Sequence, residues 1–285
     1  MTTFRFSLIT PSYKPDFERC QLLCRSIEKF AQTAINHYIV VDRQDLALFR
    51  QLQGAQTHIV TKEEIVPWWI KRLPRVNAWL NFRGLPIRGW ILQQIIKLAM
   101  AETITDEVLV FIDSDVFFIR PFNLEDIFIQ DDKVRLFRIA QRSPFPEYEK
   151  TAIELLGIPA IPSNKYIGQI VSWKRDNVLK LHRHIEAVSG KHWIAAVASH
   201  WHLSEYVLYG AFVDYILQEQ AGHYYDEGAY CLGYWKDVPL SKPQLEEFCQ
   251  RIQPEHIAVM VSAKAGMTPD DYATSIEEAA YVTNS

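Results

Sequence analysis

Residues 108–115 read Val108-Leu109-Val110-Phe111-Ile112-Asp113-Ser114-Asp115, five consecutive apolar residues running into two carboxylates one residue apart. A short unbroken run of β-branched and bulky apolar side chains is the pattern of a strand buried on both faces, as in the middle of a mostly parallel sheet. Ligands of such sheets bind beyond the carboxyl ends of the strands. Side chains alternate along an extended segment, so Asp113 and Asp115 are expected on one side and Ser114 on the other. Two carboxylates placed so close repel each other unless a cation lies near them, and hard oxygen ligands suit Mg2+ or Mn2+. A divalent ion held there can bridge a diphosphate.

The 285-residue chain is 48% hydrophobic and carries a formal net charge of -4. That length and apolar content suit one large α/β domain. The negative balance argues against general nucleic-acid binding, which needs cationic surface. No early stretch combines a charged start, an apolar run and a small-residue cleavage site, and no apolar run reaches membrane-spanning length. Cys20, Cys24, Cys231 and Cys249 show no C-x-x-C spacing. Neither a disulfide framework nor structural zinc is expected, and a reducing cytoplasm is the expected compartment.

Working outward from the acidic pair, Phe4 to Thr10 alternates, turns apolar and ends at Pro11-Ser12-Tyr13-Lys14-Pro15. This predicts a strand, a loop and then a helix over about 16–31, with Asp16 as N-cap or first-turn acid. Tyr38 to Val41 predicts a second strand ending in Asp42, residues 46–52 a short helix, and His58 to Thr61 a third strand. Strands alternating with helices build a right-handed parallel sheet. The Thr10–Pro15 loop and Asp42 then line the same edge as Asp113, where Asp42 can accept hydrogen bonds from a ribose or base.

Between Val66 and Trp90 the chain has no acidic residue, and Trp68, Trp69, Trp79 and Trp90 interleave with Lys71, Arg72, Arg75, Arg83 and Arg88. Trp faces stack on rings and Arg forks onto phosphate, and the mixture also suits an anionic membrane surface. A helix over about 88–103 buries Ile91, Leu92, Ile95, Ile96, Ala99 and Met100, leaving Trp90, Gln94 and Lys97 together on another face. Lys97, beside the carboxylate strand, is placed to reach a ligand's phosphates.

Beyond Asp115 the pattern predicts an extended piece over 116–122, polar surface over 126–132 and a strand over 134–139. Pro144, Pro146, Pro159 and Pro162 punctuate a helix over about 147–156 that reads as a lid. Tyr166 to Trp173 predicts a strand and 176–188 a helix. A further helix runs from Ser204, its N-cap, to about Glu219. Glu205 then lies in the first turn, where the helix dipole favours its ionised form and where it can accept a proton from a hydroxyl. His182/His184 and His200/His202 are spaced by two, which splits each pair across helix faces and disfavours zinc. The last apolar strand is His256 to Ser262, and a polar helical end closes at Ser285.

Taken together, Gly89-Trp90-Ile91-Leu92-Gln93-Gln94-Ile95-Ile96-Lys97-Leu98, Val110-Phe111-Ile112-Asp113-Ser114-Asp115 and Ser204-Glu205-Tyr206-Val207-Leu208-Tyr209-Gly210 resemble the GT-A fold of nucleotide-sugar glycosyltransferases, and more narrowly a little-characterised bacterial group of them. The resemblance spans about residues 4–215. It implies an α/β, Rossmann-type, mixed but mainly parallel sheet flanked by helices in a single domain, 1–122 binding the nucleotide sugar and 123–285 the acceptor. Asp113 and Asp115 correspond to the metal-binding pair, and members often add a late histidine, for which His256 is the candidate. The donor-binding set becomes Thr10, Pro11, Ser12, Tyr13, Asp42, Arg88, Gln94, Lys97 and Ser114. Glu205 corresponds to the helix-start acid that often serves as base, the role it takes in an inverting transfer to a glycan, lipid-linked or small-molecule acceptor, whereas a retaining transfer does not need it. The Trp/Arg stretch, by its composition, suits contact at the inner face of a membrane. Asp42 is followed by Arg43 rather than a second acid, so the base is left open.

Two other classes are compatible with parts of the pattern. A haloacid-dehalogenase-type phosphatase also places D-x-D after a buried strand, near the start of its core, and needs a strand-end Ser/Thr, a Lys and a later acidic pair, whereas Asp131-Asp132 does not follow an apolar strand. A non-catalytic relative that binds a nucleotide sugar or glycan keeps the fold without turnover.

Overall fold

A computed structural model describes residues 4–73, 78–82, 84, 86–141, 144–160 and 164–282. Arg75, Arg83, Pro162 and Ser285 of the sequence reading lie outside the described residues. In chain order the first half holds β1 (Phe6–Pro11), α1 (Phe17–Phe30), β2 (Asn36–Val41), α2 (Leu46–Phe49), β3 (Thr57–Thr61) and α3 (Lys62–Ile65). Next come β4 (Ile70–Arg72), β5 (Ala78–Asn81), β6 (Ile87–Arg88), α4 (Gly89–Thr103), β7 (Val108–Ile112) and β8 (Val116–Phe118). The second half holds α5 (Leu124–Phe128), β9 (Ile129–Gln130), β10 (Lys133–Phe137), α6 (Pro146–Leu156), β11 (Ile170–Lys174), α7 (Arg175–Ser189), α8 (Trp193–Ala198) and α9 (Glu205–Phe212). It closes with β12 (His223–Asp226), β13 (Cys231–Tyr234), α10 (Lys242–Cys249), β14 (Ala258–Val261) and α11 (Ala273–Val282).

The central sheet has five strands in the order β11-β7-β1-β2-β3. β7, β1, β2 and β3 are parallel and β11 runs antiparallel to β7. This is the expected Rossmann-type, mixed but mainly parallel α/β sheet flanked by helices. β7 is central because both its faces are apolar. Leu109 and Phe111 enter the core under α4, α7 and α9, while Val108, Val110 and Ile112 enter the one under α1, β8 and β14. Three small sheets surround it: β12-β10-β9, β13-β14-β8 and β4-β5-β6.

Several sequence expectations shift. The strand expected from Tyr166 starts only at Ile170, since Tyr166 turns its hydroxyl to Asp214 Oδ2 (2.6 Å) instead of joining the ladder. The helix expected to Glu219 is regular only to Phe212 and then widens into a π turn over Val213–Leu217. Residues 126–132 are not a plain polar surface. Phe128 of α5 is fully buried, and Asp131 and Asp132, with φ of 51° and 57°, make the two-residue turn joining β9 to β10, the left-handed pair that a type I′ hairpin demands. The proposed lid helix is anchored: Ala152, Leu155 and Leu156 of α6 are core, and Thr151 Oγ1 donates to the His202 carbonyl at 2.6 Å. Trp69 and Trp79 are core as well, whereas Trp68 and Trp90 face outward.

Candidate functional site

The acidic pair sits where the buried strand ends. Asp113 is half exposed, and its Oδ1 lies 3.4 Å from Lys97 Nζ. Asp115 is more enclosed: its Oδ2 accepts from the Ala263 amide at 3.1 Å and its carbonyl from the Val261 amide at 3.2 Å. The strand β14 therefore docks its carboxyl end on the acidic pair. Burial pushes the Asp115 carboxyl up to about 7, and the charges of Asp113 and Asp16 add to this. Asp16, at the start of α1, is raised chiefly by burial, against the pull of Arg19 at 3.3 Å and with a push from Asp113. Three carboxylates thus bear on one sheet edge, and a cation placed there relieves their repulsion.

Behind Asp113 lies a buried relay. Lys97 Nζ is 3.0 Å from Glu205 Oε1 and 2.8 Å from the Tyr206 hydroxyl. Burial alone lowers the affinity of the Lys97 amine for its proton, but Asp113, Tyr206 and Glu205 outweigh it and hold the lysine well above its ordinary range. Burial pushes the Glu205 carboxyl up against the pull of Lys97. The stripe Trp90, Gln94 and Lys97 on α4 abuts the start of α9, with Trp90 Nε1 donating to the Leu203 carbonyl at 3.2 Å. Ser204 caps α9 through the Val207 amide as expected, at 3.4 Å.

This arrangement revises individual roles. A general base must reach the proton it takes, and Glu205 is shut behind Lys97, so it positions the lysine. Lys97 in turn is enclosed and orients Asp113 instead of facing a ligand. Gln94 is buried, its Nε2 directed to the Trp90 carbonyl at 3.3 Å, and its Oε1 has no hydrogen-bond partner among the described residues. Thr10 is interior, hydrogen-bonded to His37 at 2.9 Å, and Pro11, Ser12 and Ser114 are also covered. Tyr13 remains open at the edge. Asp42 lies at the end of β2 as expected, with its Oδ1 3.5 Å from Lys62 and 3.7 Å from Arg72. Arg88 is exposed and stacks on the Trp201 ring at 4.9 Å. It stands about 13 Å along α4 from Lys97 at 1.5 Å per residue.

His256 is not at the site. β14 approaches Asp115 with Val261, and five extended residues back put His256 about 17 Å away, where its Nδ1 accepts from the Gln253 amide at 2.9 Å. The residue that β14 does bring near the acidic pair is Lys264, exposed on the turn just past Ala263. Its signal in the sequence is Ser262-Ala263-Lys264-Ala265-Gly266 directly after an apolar strand, with Gly266 at φ 71° closing the turn. The histidine pairs are spent elsewhere: His182 stacks on Trp193 at 3.9 Å and His184 meets the Leu156 carbonyl at 2.9 Å.

Among the described residues no three His, Cys, Asp or Glu side chains are grouped to hold a metal. The donor set still fits a hard cation. Mg2+ and Mn2+ are commonly held by one or two carboxylates, the remaining ligands coming from water and substrate phosphate, and Asp115 carries a repulsion that such an ion removes. Two surface grooves lie elsewhere, one of about 440 Å3 between α1 and α11 and one of about 360 Å3 near Phe4, Asn36 and Asp106. The second is at the amino ends of the strands, the wrong edge for a ligand of a parallel sheet.

Fold and site together define an open α/β protein whose central strand delivers an acidic pair, braced from behind by a buried lysine, to the carboxyl edge of the sheet. The chain belongs to a family of unknown function, DUF6492, whose model matches residues 6–246. No curated protein matches it.

Proposed function

We propose that this chain is a metal-dependent glycosyltransferase that moves a sugar from a nucleoside-diphosphate sugar to an acceptor hydroxyl. The observation that supports it most is the pair Asp113 and Asp115 at the end of β7, one half exposed and the other destabilised as a carboxylate by burial and by its neighbour. Mg2+ or Mn2+, when bound, supplies neutralisation of the charge that grows on the leaving diphosphate. Asp113 and Asp115 would hold it. Glu205 fixes Lys97, and Lys97 fixes the Asp113 carboxylate, the outer support that ligating carboxylates commonly need. Lys264, exposed one residue past the Ala263 amide that binds Asp115, adds a cation to the same loop. Asp42, between Lys62 and Arg72, marks the nucleoside end of the same edge.

The phosphatase alternative fits less well. Its acidic pair belongs near the start of the core, whereas β7 is the fourth strand of the central sheet in chain order, and Asp131-Asp132 is a hairpin turn. On the acceptor side, Trp68 (72% exposed), Phe82, Trp90 and Trp201 with Arg88 form outward-facing aromatic and cationic surface. It suits a glycan or a lipid-linked acceptor at the inner face of a membrane. No helix of the described residues is long and apolar enough to cross a membrane.

The test is thermal shift with UDP, GDP, CDP or ADP, with and without Mn2+. A ligand bound only to the folded state raises its melting point. One diphosphate is expected to do so only with the metal, and Asp113→Ala and Asp115→Ala to abolish the effect. No shift with any of the four would remove the reading.

A further inference from the structure

Gly233 lies in β13 with no positive φ, so its backbone conformation does not require glycine. A Cβ there would stand 2.6 Å from Gln169 Nε2 and 2.7 Å from Trp235 Nε1. The missing side chain is therefore the space in which two N–H donors converge. A glycine inside a strand commonly marks close approach by a ligand or another backbone.

These donors flank the acidic pair. The antiparallel register Ile170 to Ile112, carried one residue on, sets Gln169 beside Asp113. On the other side the Ala263 amide binds Asp115, and the Ser262 amide just before it donates to the Tyr234 carbonyl at 3.0 Å, leaving Trp235 next in line. Neither the Gln169 amide nor the Trp235 indole N–H has a hydrogen-bond partner among the described residues, and Trp235 is 62% exposed. A large indole left open, with an amide at its edge, has the composition of a sugar-binding surface. The ring face covers the C–H side of a pyranose, and the N–H groups meet its hydroxyls.

We propose that Gln169, Gly233 and Trp235 form the subsite for the donor's sugar ring. This rests on the glycosyl-transfer reading and adds which part of the substrate lies where: the diphosphate at Asp113 and Asp115, the hexopyranose on Trp235 over Gly233. Gly233→Ala displaces both donors without removing either, Gln169→Ala removes one, and Trp235→Ala removes the ring.

The experiment is calorimetric titration with UDP, UDP-glucose, GDP and GDP-mannose in Mn2+. In the wild type one sugar conjugate is expected to bind more tightly than its parent diphosphate. Each variant is expected to weaken the conjugate about tenfold, the loss of one or two hydrogen bonds and a ring contact, while leaving the diphosphate within twofold. Retained diphosphate binding shows that the variant is folded. Equal effects on conjugate and diphosphate, or no effect on either, overturn the subsite while leaving the transferase reading intact. Failure of the wild type to bind any of UDP, GDP, CDP and ADP or their sugar conjugates removes both.

Discussion

Lys97 and Glu205 meet at 3.0 Å with side chains only 4% and 2% exposed, and the ammonium continues to Asp113 at 3.4 Å. A buried pair of this kind is a weak source of net stability, but removing one partner strands the other. Lys97→Met is expected to destabilise the protein by about 3–5 kcal/mol, and Lys97→Met with Glu205→Leu to recover much of that loss, read by urea unfolding. If the single variant unfolds like the wild type, the pair is not closed off from water.

The same brace predicts a binding effect distinct from stability. With Lys97 replaced, Asp113 keeps its position at the end of β7 but loses its orienting partner. Mn2+-dependent diphosphate binding should fall about 10–100-fold, the usual cost of losing an outer-sphere support. Titration well below the variant's melting temperature measures this, and unchanged affinity would assign Lys97 to packing alone.

Asp115 sets a pH dependence. Its folded pKa of about 7 lies above the unfolded carboxylate value, so its contribution is fully present below about pH 4 and is lost as pH rises through 7. By this linkage the metal-free protein should lose up to about 4 kcal/mol across that window relative to Asp115→Asn. Mn2+ with the diphosphate should reverse the trend, because the ion competes with the proton. Melting temperatures at pH 5, 6, 7 and 8 for both proteins, with and without metal, decide it.

His223 acts in the opposite sense. It is half-buried between the Tyr209 hydroxyl at 2.7 Å and the Val134 carbonyl at 2.8 Å, and desolvation of the ring pushes its pKa down to about 4. A depressed histidine contributes stability above its unfolded pKa, lost as pH falls from about 6.5 through 4. His223→Gln should flatten the acid limb of the stability profile. An acid limb identical to that of the wild type would show that His223 is not held neutral.

Gly210 sits in α9 where an added Cβ would meet the Tyr166 ring at 2.3–2.5 Å. Tyr166 is itself pinned to Asp214 by a 2.6 Å hydrogen bond, so the ring cannot easily yield. Gly210→Ala, favourable for an exposed helix, is expected to cost about 1–3 kcal/mol here by overpacking, measured by chemical denaturation. A gain in stability would mean that the ring moves freely.

Much of the central sheet was legible because β7 and the first three strands are decided by local apolar pattern and turn residues. Asp42 and the acidic pair were placed at one edge for the same reason, since a parallel sheet sends every strand end to one side. What the sequence could not show was direction and depth. Lys97 and Glu205 look like a surface lysine and a first-turn acid until α4 and α9 pack together and bury both. His256 was misplaced because an apolar run shows where a strand lies but not which of its ends meets Asp115. Gln169, Trp235 and Lys264 escaped for a related reason: each belongs to a different element, and only the registers of β11, β13 and β14 bring them to the acidic pair. Tyr166 to Gln169 reads as strand by composition, yet the hydroxyl of Tyr166 is drawn to Asp214.

The most direct measurement is release of the nucleoside diphosphate from the sugar conjugate that the protein binds, followed in Mn2+, in EDTA, and for Asp113→Asn and Asp115→Asn. The account predicts release that needs the metal and falls at least 100-fold in either variant while both stay folded. Release unaffected by EDTA and by both substitutions would contradict it.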